Sequence, residues 1–316
     1  KKKSTAFKWR PFLLGLCLTF SVIFLQVKDY TGLKSVNEAA FDQYQRWKPR
    51  QVDPSVPVAV VDIDVRSLEE LGQWPWPRTE IAELTLRLAQ LGVLSVAFDV
   101  VFAEPDRTSP VRIVESWKKY DPSASAVLDD SLRDHDEVFA GMIAQTPTVL
   151  GVVLNNTPGD KRPSSKAGIS WIGTPTRDVI PPFASANVNL PMLSAGASGV
   201  GNFSLSELRS QVIRRVPLLS RIEEQIVPTL SLEAIRVGFQ AGSILVKSTE
   251  NASGEVSGLS SAIASMRVGP MEIPVEFDGG LYIYYSGNSF ERAERVISVA
   301  DIMAGDEVDP ALADRL

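Results

Sequence analysis

Apolar and polar positions change period several times along this chain, and the changes mark out its elements. Pro11 to Val27 (PFLLGLCLTFSVIFLQV) carries no charge and one amide, Gln26. A bilayer span takes about 20 residues, and Trp9 and Tyr30 stand at either end, where interfacial aromatics belong. Next, Leu33, Val36, Ala40, Tyr44 and Trp47 fall on one stripe by three- and four-residue steps. That spacing predicts a helix over Lys34 to Arg50, with Pro49 as its stop. The stripe suits pairing with a second copy or packing on its own domain, and the second is favoured because the stripe is short and imperfect.

Val58 to Ile63 is apolar but for Asp62 and mostly β-branched, the pattern of a strand buried on both faces. From Thr79 the period becomes helical. Thr79 is placed to cap, Glu80 and Glu83 complement the positive end, and Ile81, Leu84, Thr85, Leu88 and Leu91 face inward until Gly92. Val93 to Phe98 is the next strand. Two strands joined by one crossover helix are expected to pair parallel and right-handed.

Ala124 to Gln145 reads as a further helix and Thr148 to Leu154 as a third strand, while Asn155 to Pro182 reads as an extended surface excursion. Val212 to Ser220 and Gln225 to Val227 form a candidate strand pair, followed by a helix over Leu230 to Phe239. Val246 to Ser261, rich in Ser, Gly and Glu, reads as mobile. Met271 to Val275 and Leu281 to Tyr285 read as strands joined by a turn at Asp278-Gly279-Gly280. Val299 to Ala304 and Ala311 to Leu316 read as short helical pieces. The sum is an α/β chain: a mainly parallel sheet flanked by helices, with an N-terminal transmembrane helix and β-rich excursions in the second half. The expected division is a basic cytoplasmic segment over 1–10, a membrane helix over 11–27, a stalk helix over 28–50 and a body over 51–316, incomplete at its C-terminal end.

Charge narrows the class. The first ten residues hold five positive charges against a formal total of −6, so the rest of the chain stands at −11. An acidic body excludes a phosphate-binding groove and hence nucleic acid. The basic flank places the N-terminus in the cytoplasm and the body outside. A cleaved signal peptide shares this layout, but Gln26-Val27-Lys28-Asp29-Tyr30 offers no small-residue cleavage site. One cysteine, Cys17, lies in the apolar run, and the single histidine, His135, sits in a charged helical stretch and reads as a solvated surface side chain. Histidine-rich zinc chemistry and a Ser-His-Asp triad are thereby disfavoured.

Candidate chemistry gathers near the first two strands. Asp62 and Asp64 point to one side of a strand and Asp99 ends its neighbour. The three can converge at a rim with Arg78, binding a polar ligand or a divalent cation. Alternatively Asp64 caps the turn that follows. Trp74-Pro75-Trp76-Pro77-Arg78 is either a rigid aromatic wall of a pocket or a loop fastened to the sheet edge, with Arg78 bridged to Asp64 or Asp99. The sequence leaves both readings open, and Asp62, Asp64, Trp74, Trp76, Arg78 and Asp99 are the ligand-binding candidates. No Gly-rich phosphate loop, nucleophile elbow or zinc-ligand spacing is present.

The run VDID..S...LG.WPWPR, then a helix, then AFD..F.EPD, resembles the CHASE type-2 sensory domains. The residues that carry it are Asp62, Asp64, Ser67, Leu71, Gly72, Trp74 to Arg78, Asp99, Phe102, Glu104 and Asp106. Asp136, Phe139 and Ala140, then Ile213 to Leu218, Ser231 to Ala234, Ile283 to Gly287 and Val296 to Ile302 follow in family order. Ser206 to Val212 stands where the family carries an Asp-Gly pair. The resemblance implies an extracytoplasmic module of a bacterial inner-membrane protein, a homodimer, sensing a small ligand or an extracytoplasmic protein. It further implies an output domain beyond Leu316, most often a class III adenylate cyclase, alternatively a histidine or serine/threonine kinase. A metal-dependent hydrolase built on Asp62, Asp64 and Asp99 is the rival from another class, and an interaction module pairing through its stalk is a third.

Overall fold

The computed structural model describes residues 13–17, 19–20, 31–51, 56–121, 132–204, 212–250, 261–286, 295–305 and 309–315. Two units emerge. The smaller comprises Lys1–Asp53, Ser253–Gly258 and Tyr284–Ser289; the larger comprises Pro54–Ala252, Leu259–Ile283 and Phe290–Leu316.

The smaller unit is organised around helix α1 (Thr31–Trp47). Its C-terminal end is tied to Tyr284–Ser286. The Tyr284 hydroxyl donates to Lys48 O at 2.5 Å, the Tyr285 N–H to Gln45 Oε1 at 2.9 Å, and the Arg50 N–H to Tyr285 O at 3.0 Å. Val36, Ala40, Tyr44 and Trp47 of the expected stripe are exposed, contrary to the expectation that it packs. Residues 13–17 and 19–20 are helical, while residues 11–12, 18 and 21–27 of the expected span lie outside the described residues. Among the described residues no helix is long and apolar enough to cross a membrane.

The larger unit opens with β1 (Val60–Asp62), α2 (Val65–Leu71), α3 (Arg78–Gln90) and β2 (Val96–Phe98). It continues through α4 (Pro110–Trp117), α5 (His135–Ile143), β3 (Thr148–Asn155), β4 (Gly168–Ile172), β5 (Pro182–Phe183), β6 (Ser185–Asn187), α6 (Pro191–Gly196) and β7 (Gly199–Asn202). Then come β8 (Arg215–Pro217), β9 (Leu219–Ile222), β10 (Gln225–Pro228), α7 (Leu230–Gly238), β11 (Ser243–Glu250), β12 (Ser261–Val268), β13 (Met271–Pro274) and β14 (Gly280–Tyr282). Last are β15 (Val296–Ser298), α8 (Val299–Met303) and a 3₁₀ turn at Pro310–Arg315.

The α/β class stands, but among the described residues the strands fall into five separate sheets with both parallel and antiparallel pairs, rather than one mainly parallel sheet. Parallel pairs are β1–β15, β2–β3, β3–β7, β4–β11 and β5–β9. Antiparallel pairs are β9–β10, β11–β12, β12–β13, β8–β14 and β3–β6. β1 and β2 do not pair with each other: the last strand, β15, takes the place beside β1. Nor is β1 buried on both faces, since Val58 and Val60 are 60% and 57% exposed while Ala59, Val61 and Ile63 pack inward. Both-face burial belongs to β3, which is buried without a break from Thr148 to Val152. A strand of three residues cannot report how many layers cover it; β3 is central because β2 and β7 flank it.

Other boundaries shift for local reasons. The helix expected over Ala124 to Gln145 begins at His135, because the Asp134 side chain accepts the Asp136 N–H as its cap; residues 122–131 lie outside the described residues. The expected excursion at Asn155 to Pro182 contains β4, and the segment read as mobile contains most of β11, which joins β4 to the β12–β13 ribbon. The strands expected on either side of Asp278-Gly279-Gly280 pair elsewhere, β13 with β12 and β14 with β8.

Glycine sets how closely α7 approaches the sheet. A Cβ on Gly201 would fall 2.5 Å from the Leu230 Cα, and one on Gly199 would fall 2.7 Å from Glu233 Cγ. Glu233 is fully buried there and held two-pronged by Arg236, 2.8 Å to each carboxylate oxygen. Arg236 also donates to Ser198 O and Ala241 O, so the buried pair is fully satisfied. Gly201→Ala is expected to destabilise the chain by roughly 1–3 kcal/mol, since the backbone of α7 must move to admit the methyl. Chemical denaturation measures it; an unchanged midpoint would show that α7 is not seated on this strand as described.

Candidate functional site

Arg78 opens α3, and its surroundings form the densest polar cluster at this end of the larger unit. The helix has no cap of its own, for its N-cap is Pro77 and Thr79 lies inside the first turn. The cap comes from elsewhere in the chain. Asp106 Oδ2 accepts the Arg78 N–H at 2.8 Å. Its other oxygen takes the N–H and hydroxyl of Thr108, each at 2.8 Å, and His135 Nδ1 lies 3.1 Å from Oδ2. Burial alone pushes the Asp106 carboxyl up. The Arg78 N–H, the two Thr108 donors and His135 outweigh it and hold the carboxyl below the ordinary 3.8.

Asp136, 1% exposed, completes the lock. One oxygen receives Arg78 Nε at 3.3 Å and the other the Asp106 N–H at 2.9 Å. Arg78 Nη2 donates to Glu104 O at 3.2 Å, and the guanidinium sits 4.5 Å from the Phe102 ring centre. Phe102 meets Phe98 and Phe139 edge to face, so the charged group rests on an aromatic floor. Behind it, Asp134 caps α5 and accepts from the buried Ser109 hydroxyl at 3.3 Å, while Arg112 Nε stands 3.9 Å away. His135 is therefore half-buried in this network rather than solvated.

A second cluster joins the start of the unit to its end. Asp64 caps α2, accepting the Ser67 N–H at 2.8 Å and the Ser67 hydroxyl at 2.7 Å. The Ser298 hydroxyl reaches the same oxygen at 2.9 Å, and the Ser67 and Ser298 hydroxyls both serve the Ala300 N–H at the start of α8. The Ser67 hydroxyl and N–H chiefly hold the Asp64 carboxyl below its ordinary value. At the far end of α8, Arg87 donates to Ile302 O, Ala304 O and Gly305 O, and Arg66 pairs with Asp301 at 2.8 Å. Both ends of a five-residue helix are thus held by residues near the start of the unit.

The expected rim does not assemble as drawn. Arg78 pairs with Asp136, not with Asp64 or Asp99. Asp62 and Asp99 are exposed, with no side-chain partner among the described residues, and Asp64 is turned into its cap. Trp76 is buried with its indole N–H on Gly72 O at 2.6 Å, and Trp74 packs edge to face on it while bridging two core clusters. Among the described residues no three of His, Cys, Asp and Glu gather to hold a metal. Asp106 and Asp136, which carry the site, were visible only as parts of the family motif. Nothing in their own neighbourhood announced that both would converge on Arg78.

A family model described as the CHASE2 domain matches residues 16–316. The chain belongs to the CHASE2 family. CHASE2 domains are extracytoplasmic sensory modules, and the lock therefore lies in a sensory domain. No curated protein and no solved structure matches the chain.

Removing one partner of a buried pair strands the other. Asp136→Ala is expected to cost about 3–5 kcal/mol in denaturant unfolding, and a loss under 1 kcal/mol would contradict the lock. Asp106 makes a separate, pH-resolved prediction. Its carboxyl is depressed in the folded state, so its contribution is complete above 3.8 and is lost as the pH falls through the lower folded value. The stability gap between the native chain and Asp106→Asn is expected to be constant near neutrality and to close under acid. A gap unchanged down to the acid limit would contradict the capping role.

Proposed function

We propose that this CHASE2 domain is the extracytoplasmic sensor of a bacterial inner-membrane signalling protein, anchored through residues 11–27 with its body outside the cytoplasm. The observation that carries the reading is the family match over residues 16–316. The geometry removes two carboxylates from consideration as catalytic groups. The buried carboxylates Asp106 and Asp136 are saturated by N–H, hydroxyl and guanidinium donors, so neither is free to serve as a general base or a ligand. A sensor needs instead two arrangements of one scaffold and a ligand that binds one of them better.

On this reading a small ligand or an extracytoplasmic protein acts at the surface near Asp62 or near Asp99, whose carboxylates stay exposed. Asp64, Trp74, Trp76 and Arg78 hold the surrounding backbone through the contacts above. The output, in a domain beyond Leu316, is most readily a class III adenylate cyclase making cyclic AMP, with a histidine or serine/threonine kinase as the second candidate. Pairing of two copies runs through α1, whose exposed Val36, Ala40, Tyr44 and Trp47 give the stripe a partner.

Two measurements test this. Membranes carrying the protein with whatever follows Leu316 are assayed for cyclic AMP formation and for autophosphorylation. One of the two is expected, and its rate is expected to change in Asp62→Asn with Asp99→Asn; absence of both activities overturns the signalling role. In a Cys17→Ser background, Tyr44→Cys is expected to cross-link between copies under oxidation, and monomer alone would contradict pairing through the stalk.

A further inference from the structure

Helix α4 ends in an aromatic and basic tip. Val114, 4% exposed, fastens the helix to the body. One turn later Trp117 is 53% exposed, and beyond the helix end Tyr120 is 90% exposed. Lys118 and Lys119 lie between them. The backbone holds all four in a defined turn: the Lys118 N–H donates to Val114 O at 3.0 Å, the Tyr120 N–H to Trp117 O at 2.8 Å, and the Asp121 N–H to Trp117 O at 2.9 Å.

The charge at this tip is available. The helix's own acid, Glu115, is taken by Arg112 at 3.1 Å. Lys118 and Lys119 form no ion pair among the described residues. Two ammonium groups with no ion pair among the described residues, flanked by two exposed amphipathic rings, stand on a chain that carries −11 beyond its first ten residues. Indole and phenol rings are the side chains that favour the headgroup level of a bilayer. Ammonium groups near an anionic surface each raise affinity by about fivefold. An acidic body is repelled by such a surface everywhere except where basic groups face it.

We propose that Trp117, Lys118, Lys119 and Tyr120 form a docking point for an anionic phospholipid surface and seat the sensor body against the membrane. The inference rests on the reading that the body stands at the outer face of the membrane that anchors it.

The test uses the full chain reconstituted in vesicles of phosphatidylglycerol with brominated phosphatidylcholine, beside vesicles of brominated phosphatidylcholine alone. Bromines in the bilayer quench nearby tryptophans. In the anionic vesicles Trp117→Phe is expected to lose part of the quenching shown by the native chain. Lys118→Gln with Lys119→Gln is expected to lose the same part, and neither variant is expected to differ from the native chain without phosphatidylglycerol. Matching thermal melts show that the variants fold.

Equal quenching of the native chain and Trp117→Phe in the anionic vesicles overturns the docking point. So does a Trp117 contribution that persists without phosphatidylglycerol or survives loss of both lysines. If Trp117 instead responds only to added polyglutamate, the patch belongs to an acidic protein partner and the lipid proposal fails. Carbonate extraction separates the anchor from the docking point. A chain that resists extraction while Trp117→Phe changes nothing loses the docking point and keeps the anchor. A chain that is extracted loses the anchor, and quenching of Trp117 on adding it back to anionic vesicles still decides the docking point.

Discussion

The carboxylate of Asp106 on the N–H of Arg78 is the interaction on which the N-terminal half of the larger unit depends. Helix α3 has no cap of its own, because proline occupies the position before Arg78. A helix end without partners leaves backbone donors unsatisfied. Here the missing acceptor arrives from a loop 28 residues downstream, and the same loop is held by Asp136 at the start of α5. The β2–α4 loop and the starts of α3 and α5 are therefore one polar unit. The three phenylalanine rings pack edge to face beneath the Arg78 guanidinium and cover the buried side of this unit.

A second lock of the same kind sits at the other end of α3. Arg87 gathers the carbonyls that end α8, while Asp64, Ser67 and Ser298 share the donors that begin α2 and α8. Cations at a helix C-terminus and hydroxyls or carboxylates at its N-terminus both complement the backbone dipole. Helix α3 thus runs from the Asp106–Asp136 cluster to the clamp on α8, and β15 beside β1 places that clamp next to the strand bearing Asp62. In a sensor this geometry makes α3 a rigid connection between the Asp106–Asp136 cluster and the last strand and helix of the fold.

Much of this architecture was legible along the chain, and the reasons differ by element. The period-3.6 pattern located α3 to within a residue at its start, Asp64 was legible as the cap of α2 while the Asp134 cap of α5 was not, and Leu230 to Phe239 read correctly as a helix. The pairing of β1 was not legible, because its partner, β15, lies more than 230 residues later and a three-residue strand carries no record of its neighbour. The lock was half legible. Arg78 stood out beside two tryptophans and two prolines, and its need for a carboxylate was plain. The choice of Asp136 over Asp64 or Asp99 follows from the packing of α5 on α3, which no local pattern encodes. His135 was misread for the same reason: its charged neighbours in sequence suggested solvent, whereas two of them turn inward.

The most direct test of the lock is a double-mutant cycle on Arg78 and Asp136, with unfolding free energies for Arg78→Ala, Asp136→Ala and the pair. Residues in direct contact within one network couple by about 0.5–3 kcal/mol. The structure requires the double variant to be less destabilised than the two single variants summed, by an amount in that range. Additivity within error would contradict a direct Arg78–Asp136 interaction and with it the rigid link along α3.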